Sequence, residues 1–173
     1  MSDVAELKKD ELVENAAVTH VNIKSRRFPN VFLRLDGSGV NTTSPNGAGV
    51  VNGQYNAGPY EKFILSDNRD GTVSFESAQF KNVFLRMDGR GVVGFSGSGG
   101  GVVNCQYTAM EYERFRLVLN ADLSASIESV QFDKVFLRLD GSSVKAPTAP
   151  GGGVVNCQYG VGEYEKFVIV QAS

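Results

Sequence analysis

The sequence predicts an all-β chain built as three equivalent units around a pseudo-threefold axis, and three observations carry that prediction. The chain repeats itself at a shift of 52 residues without a gap. Each repeat breaks into four short strand-like runs. The copy number of three then selects among the architectures that a period near 50 allows, which are a propeller blade, a solenoid rung or a trefoil unit.

The repeat is legible in two phrases. FPNVFLRLDG (28–37) returns as FKNVFLRMDG (80–89) and FDKVFLRLDG (132–141), and GAGVVNGQY (47–55) returns as GGGVVNCQY at 99–107 and again at 151–159. Between Ser25 and Phe63, 19 of 39 positions are identical in all three copies, so the units share one backbone design. Each unit reads as NIKS or its equivalents, then VFLRLD, then VVNCQY, then YEKF and its continuation. All are rich in β-branched or aromatic residues and bounded by Gly, Pro, Asn or Asp. Propellers need about four blades or more to close. Twelve strands in three units therefore predict a β-trefoil, a six-stranded barrel capped by three hairpins, which removes exposed edges by closure. The units are 18–69, 70–121 and 122–173 of a single domain. Residues 1–17 stand outside the repeat. There Ser2 or Asp3 can cap a short helix, and a frayed tail, a docked helix and a segment joining a homodimer all stay open.

A strand alternates its side chains between two faces, which sorts the repeat into core and exterior. Val31, Leu33 and Leu35 take one face and Phe32, Arg34 and Asp36 the other. Likewise Val51, Gly53 and Tyr55 oppose Val50, Asn52 and Gln54. The first set of each is the expected core. Cys105 and Cys157 occupy the position of Gly53, so they read as small, buried, reduced thiols with no bond to each other.

Composition narrows the function. The net charge of −2 and the lack of basic runs exclude the electrostatic footprint of a nucleic-acid binder. No stretch approaches the length of a bilayer span, no secretory signal is legible at the N-terminus, and the two cysteines match no zinc spacing; the expected location is cytoplasmic. Catalysis finds little support. The single histidine, His20, occurs in one unit only, and no nucleophile–base or metal-ligand spacing is present, so neither enzyme activity nor a cofactor is expected. A hydrolase using two of the repeated carboxylates is the remaining catalytic alternative.

The candidate site residues are the polar groups kept in all three units. Asp36, Asp88 and Asp140 precede glycine at a strand end. An Asp-Gly step is a turn signal in its own right, and turn chemistry is the first reading, but a carboxylate at a loop mouth can also accept from a sugar diol. Asn52, Asn104 and Asn156, with Gln54, Gln106 and Gln158, are solvated, bonded to backbone, or convergent on a ligand; the sequence weighs these evenly. Arg34 with Glu61, Arg86 with Glu113 and Arg138 with Glu165 read as structural ion pairs. All six tyrosines lie in the repeat, mostly as core and seam residues.

The segments IKSRRFPNVFLRLDG and FESAQFKNVFLRMDG resemble the opening of units in arabinofuranose-binding β-trefoil modules, and they are also similar to the fascin-type trefoils of actin-crosslinking proteins. The likeness covers about fifteen residues per unit. It implies a trefoil that binds rather than catalyses. Glycans are the first expected partner, held in up to three equivalent pockets; an actin-binding or cytoskeletal crosslinking role is the alternative.

Overall fold

The computed structural model describes residues 19–172. Residues 1–17, where a helix or tail is expected, lie outside the described residues. The first unit contributes β1 (Thr19–Ser25), β2 (Val31–Asp36), β3 (Val50–Tyr55) and β4 (Phe63–Asp67). The second contributes β5 (Val73–Ser77), β6 (Val83–Asp88), β7 (Val102–Tyr107) and β8 (Phe115–Leu119). The third contributes β9 (Ala125–Ser129), β10 (Val135–Asp140), β11 (Val154–Tyr159) and β12 (Phe167–Gln171). Between the third and fourth strands of each unit, one turn of 3-10 helix carries the YE pair.

Six strands close a barrel. Antiparallel pairing runs β1–β4–β5–β8–β9–β12 and returns from β12 to β1, so no barrel strand has a free edge. The remaining strands form three hairpins, β2–β3, β6–β7 and β10–β11, each in the same register, with Arg34 opposite Asn52, Arg86 opposite Asn104 and Arg138 opposite Asn156. β3, β7 and β11 touch one another around the axis. This is the β-trefoil that the repeat predicts.

The apolar core follows the strand alternation, but the face expected outside is not all exposed: Arg34, Arg86, Arg138 and Asp88 are buried there, because the loop of a neighbouring unit covers that face. Phe63, Phe75, Phe115 and Phe167 fill the barrel, while Leu33, Leu85 and Leu137 with Leu35, Met87 and Leu139 fill the cap; all are fully buried. Each such side chain contributes roughly 1.5–3 kcal/mol. Val51, Val103 and Val155 are buried as expected, and Cys105 and Cys157 are buried free thiols. Burial, and then the charge of Asp36 or Asp88, pushes both thiols up to about 12. The serine that ends the first strand of each unit has a local task. Ser25, Ser77 and Ser129 accept from the backbone N–H of Phe28, Phe80 and Phe132 at 3.0, 2.9 and 2.9 Å and fix the turn into the next strand.

The Asp-Gly step has a tertiary reason beyond its turn. A Cβ on Gly37 would lie 2.8 Å from Val83 Cγ1, and Gly89 and Gly141 meet Val135 and Val31 at 2.9 and 2.8 Å. Glycine stands there because the next unit packs against its α-carbon.

Candidate functional site

Each long hairpin loop reaches over the next unit. Ala48 bridges to Cys105, Gly100 to Cys157 and Gly152 to Gly53, so the first loop lies on the second unit, the second on the third and the third on the first. Gly47, Gly99 and Gly151 enter these contacts at φ +68°, +69° and +69°, with a hypothetical Cβ 2.6 Å from a neighbouring carbonyl oxygen. Only glycine meets both demands.

Three identical side chains of each unit hold the incoming loop by its backbone. Gln106 Nε2 donates to the Ser44 carbonyl at 2.6 Å while its Oε1 accepts from Ser44 N–H at 3.0 Å; Gln158 does the same to Ser96 and Gln54 to Thr148. Asn52, Asn104 and Asn156 donate to the carbonyls of Pro150, Asn46 and Ser98 and accept from Arg34, Arg86 and Arg138. The same guanidinium groups donate to the carbonyls of Ala149, Pro45 and Gly97. They also lie 5.0, 5.0 and 5.1 Å from the ring centroids of Tyr60, Tyr112 and Tyr164. Each arginine also faces the aspartate of its own strand, at 3.7, 3.6 and 3.9 Å, and the expected arginine–glutamate pairs form at 3.9 Å in the second and third units.

Glu61, Glu113 and Glu165 are buried, and each accepts from the backbone N–H that opens its own 3-10 turn, at 2.6, 2.7 and 2.6 Å. Burial raises their carboxyl pKa values more than that bond and the arginine charge lower them. The aspartates go the other way. Asp36 accepts from Ser38 N–H and Oγ at 3.0 and 2.7 Å, which holds it below the usual range. Asp88 is clasped at both oxygens by Arg90, with the shortest contact 2.6 Å, and is lowered chiefly by that contact. At Asp140, burial pushes upward but the two bonds from Ser142 and the Arg138 charge outweigh it, so it too is lowered.

Between each loop tip and the neighbouring YE turn lies a cleft. The first, about 680 Å³, is lined by Asp36, Tyr55, Pro59, Tyr60, Pro147 and Pro150 among others. The second, about 410 Å³, lies among Pro45, Arg86, Met110 and Tyr112. The third, about 210 Å³, lies among Phe95, Arg138, Glu163 and Tyr164. The clefts are symmetry equivalents, a relation that no single unit of sequence reveals.

The six residues singled out from the sequence thus separate. Asp36 lines the first cleft, whereas Asp88 and Asp140 line neither of the other two. Asn52, Asn104 and Asn156 line none of the three, and each amide is committed at both ends to the inter-unit stitch. Beside Asp36, the side chains that line the first cleft are instead those of Tyr55, Tyr60 and Pro59, with Pro147 and Pro150 of the incoming loop. His20 borders a separate cavity of about 480 Å³ with Asn22, Lys62, Gln79 and Ala172. Among the described residues, no cluster of three or more His, Cys, Asp or Glu has metal-site form.

No model of a protein family matches the sequence, and no curated protein matches it. Solved structures do. The chain superposes on a mosquitocidal holotoxin with a TM-score of 0.66 at 14% identity, over 90% of this chain and 17% of the toxin. It superposes equally, at 0.66 and 16% identity, on the designed threefold-symmetric protein ThreeFoil, over 88% of this chain and 99% of that one. The chain therefore spans under a fifth of the toxin and nearly all of the designed protein. At these identities the likeness speaks for fold. The chain is a β-trefoil protein with internal threefold symmetry.

Proposed function

We propose that the chain is a non-catalytic, lectin-like carbohydrate-binding protein that takes its glycan between loop tip and YE turn, in up to three clefts. The first cleft carries this reading. Its volume falls within the roughly 300–1,000 Å³ of small-molecule sites, and its walls combine proline and tyrosine surface with two carboxylates, the part-exposed Asp36 and the buried Glu61. A sugar ring offers an apolar face of C–H groups and an edge of hydroxyls, and that mixture of wall and acceptor complements both. Only one Asp36 oxygen is taken by Ser38; the other faces Arg34 at 3.7 Å with the side chain 27% exposed, which leaves acceptor capacity for a hydroxyl.

The glutamates support binding over hydrolysis. A glycosidase acid must reach the scissile bond. Glu61 is 3% exposed and performs the same turn-capping task as its two equivalents, including the one behind the smallest cleft. A raised carboxyl repeated for structure in three units is accounted for without a reaction.

The test is a screen of the full chain on a glycan array beside cosedimentation with F-actin. Selective retention by neutral glycans with no sedimentation supports the reading. Sedimentation with actin and a blank array would replace it with the cytoskeletal one.

A further inference from the structure

We infer that the three clefts have diverged and that the first alone takes a sugar, a neutral pyranoside or furanoside, so that the protein carries one carbohydrate site per chain. This rests on the carbohydrate reading above and adds its valence and ligand charge. Four differences at equivalent positions carry it.

The first difference is room. The volumes fall from about 680 to 410 to 210 Å³, and the third lies below the range of ordinary ligand sites. The second difference is the residue at the loop tip, which is Pro147 over the first cleft, Thr43 over the second and Phe95 over the third. Phe95 keeps 72% of its surface exposed, and its ring stands at the mouth of the smallest cleft. A large ring takes the space that Pro147 leaves open.

The third difference is the acceptor. The first cleft extends to Asp36, whereas Asp88 sits outside the second with both oxygens held by Arg90 and its side chain only 9% exposed. Asp140 keeps the same free oxygen as Asp36 but does not border the third cleft. The fourth difference is rim charge. Pro59 of the first cleft is replaced by Glu111 and Glu163 in the other two, which adds an anion at each rim. The first cleft offers no uncommitted cation for an acidic sugar, because Arg34 is 4% exposed, donates to Asn52 and Ala149 and has its charge faced by Asp36 at 3.7 Å. A neutral ligand is what remains.

The inference is tested by titrating the full-length chain with a panel of methyl glycosides of neutral hexoses and pentoses, followed by calorimetry and by amide chemical shifts. One equivalent per chain is expected, with shifts clustered at Ala57, Tyr60 and Ala149. Pro147→Phe, which copies the third loop at an exposed position, should weaken binding about tenfold or more with an unchanged melting temperature, and Asp36→Asn, which keeps the turn acceptor but gives up the charge facing Arg34, should weaken it as much while lowering the melting temperature only slightly and keeping a single cooperative melt. Two or three equivalents, or shifts at Met110 or Gly162 matching those at Tyr60, overturn the single-site inference and leave the carbohydrate reading intact. A charged glycoside binding tighter than every neutral one overturns the ligand class. Silence with every glycoside overturns the carbohydrate reading and this inference with it.

Discussion

The guanidinium of Arg86 lies 5.0 Å from the ring centroid of Tyr112, on the same unit, and donates to the carbonyl of Pro45, on the preceding one. One planar group thus joins a local stack to an inter-unit hydrogen bond, and it does so at 2% exposure. Lysine brings the charge but neither the plane nor the fork. Arg86→Lys is expected to cost about 3 kcal/mol, since it leaves Asn104 Oδ1 and the Glu113 carboxylate poorly matched in a buried place. Urea denaturation checks this. A midpoint shift equivalent to less than about 1 kcal/mol would mean that the loop is held by its glutamine and asparagine alone.

Backbone geometry gives a sharper contrast within a single loop. Gly99 sits at φ +69° with a hypothetical Cβ 2.6 Å from the Cys157 carbonyl oxygen, whereas Gly94 has open space around it and no positive φ. Gly99→Ala should therefore destabilise by about 2 kcal/mol or more, from strain and from displacement of the loop. Gly94→Ala should be neutral or stabilise by about 0.4–1 kcal/mol by restricting the unfolded chain. Thermal melts of the pair decide, and equal losses in both would contradict the assignment of the loop contact to position 99.

Cys105 and Cys157 should be inert in the native protein. Burial holds both thiols near a pKa of about 12, so the reactive thiolate is scarce at neutral pH and a reagent must also wait for an opening. Labelling by a thiol reagent is expected to be slow in buffer and to reach two equivalents on denaturation. Rapid native labelling of either residue would show that the strands around the axis open far more readily than their burial implies.

The strands, their faces and the threefold plan were legible because strand alternation and the 52-residue period are properties of sequence. The task of the polar row was not. Asn52, Gln54 and Arg34 grip carbonyl and N–H groups of the third loop, and a backbone partner leaves no signature in the side chains it carries. The same fact explains how the three hairpin loops, NTTSPNGAG (41–49), VGFSGSGG (93–100) and KAPTAPGGG (145–153), differ while their partners stay identical. Asp-Gly was legible as a turn, but the approach of Val83 to Gly37 joins residues far apart in the chain and needed the fold. The divergence of the clefts lies in those varying loops, where periodicity says least.

Stability should pass through a maximum at mildly acidic pH, because two sets of carboxylates pull in opposite directions. Asp36, Asp88 and Asp140 have folded pKa values below their unfolded ones, so the stability they contribute is present above about pH 4 and lost as pH falls through the folded values. Glu61, Glu113 and Glu165 have folded values above their unfolded ones, so their contribution is complete below about pH 4 and is lost as pH rises through the folded values. The melting temperature is accordingly expected to climb from about pH 3, peak at about pH 5 and decline gently toward neutrality. Glu113→Gln keeps the oxygen that accepts from Met110 N–H and removes the ionisation. It should flatten the neutral side of the profile while leaving the acid side as it was. A steeper decline in the variant would mean that the Arg86 charge, 3.9 Å from this carboxylate, outweighs the cost of its burial.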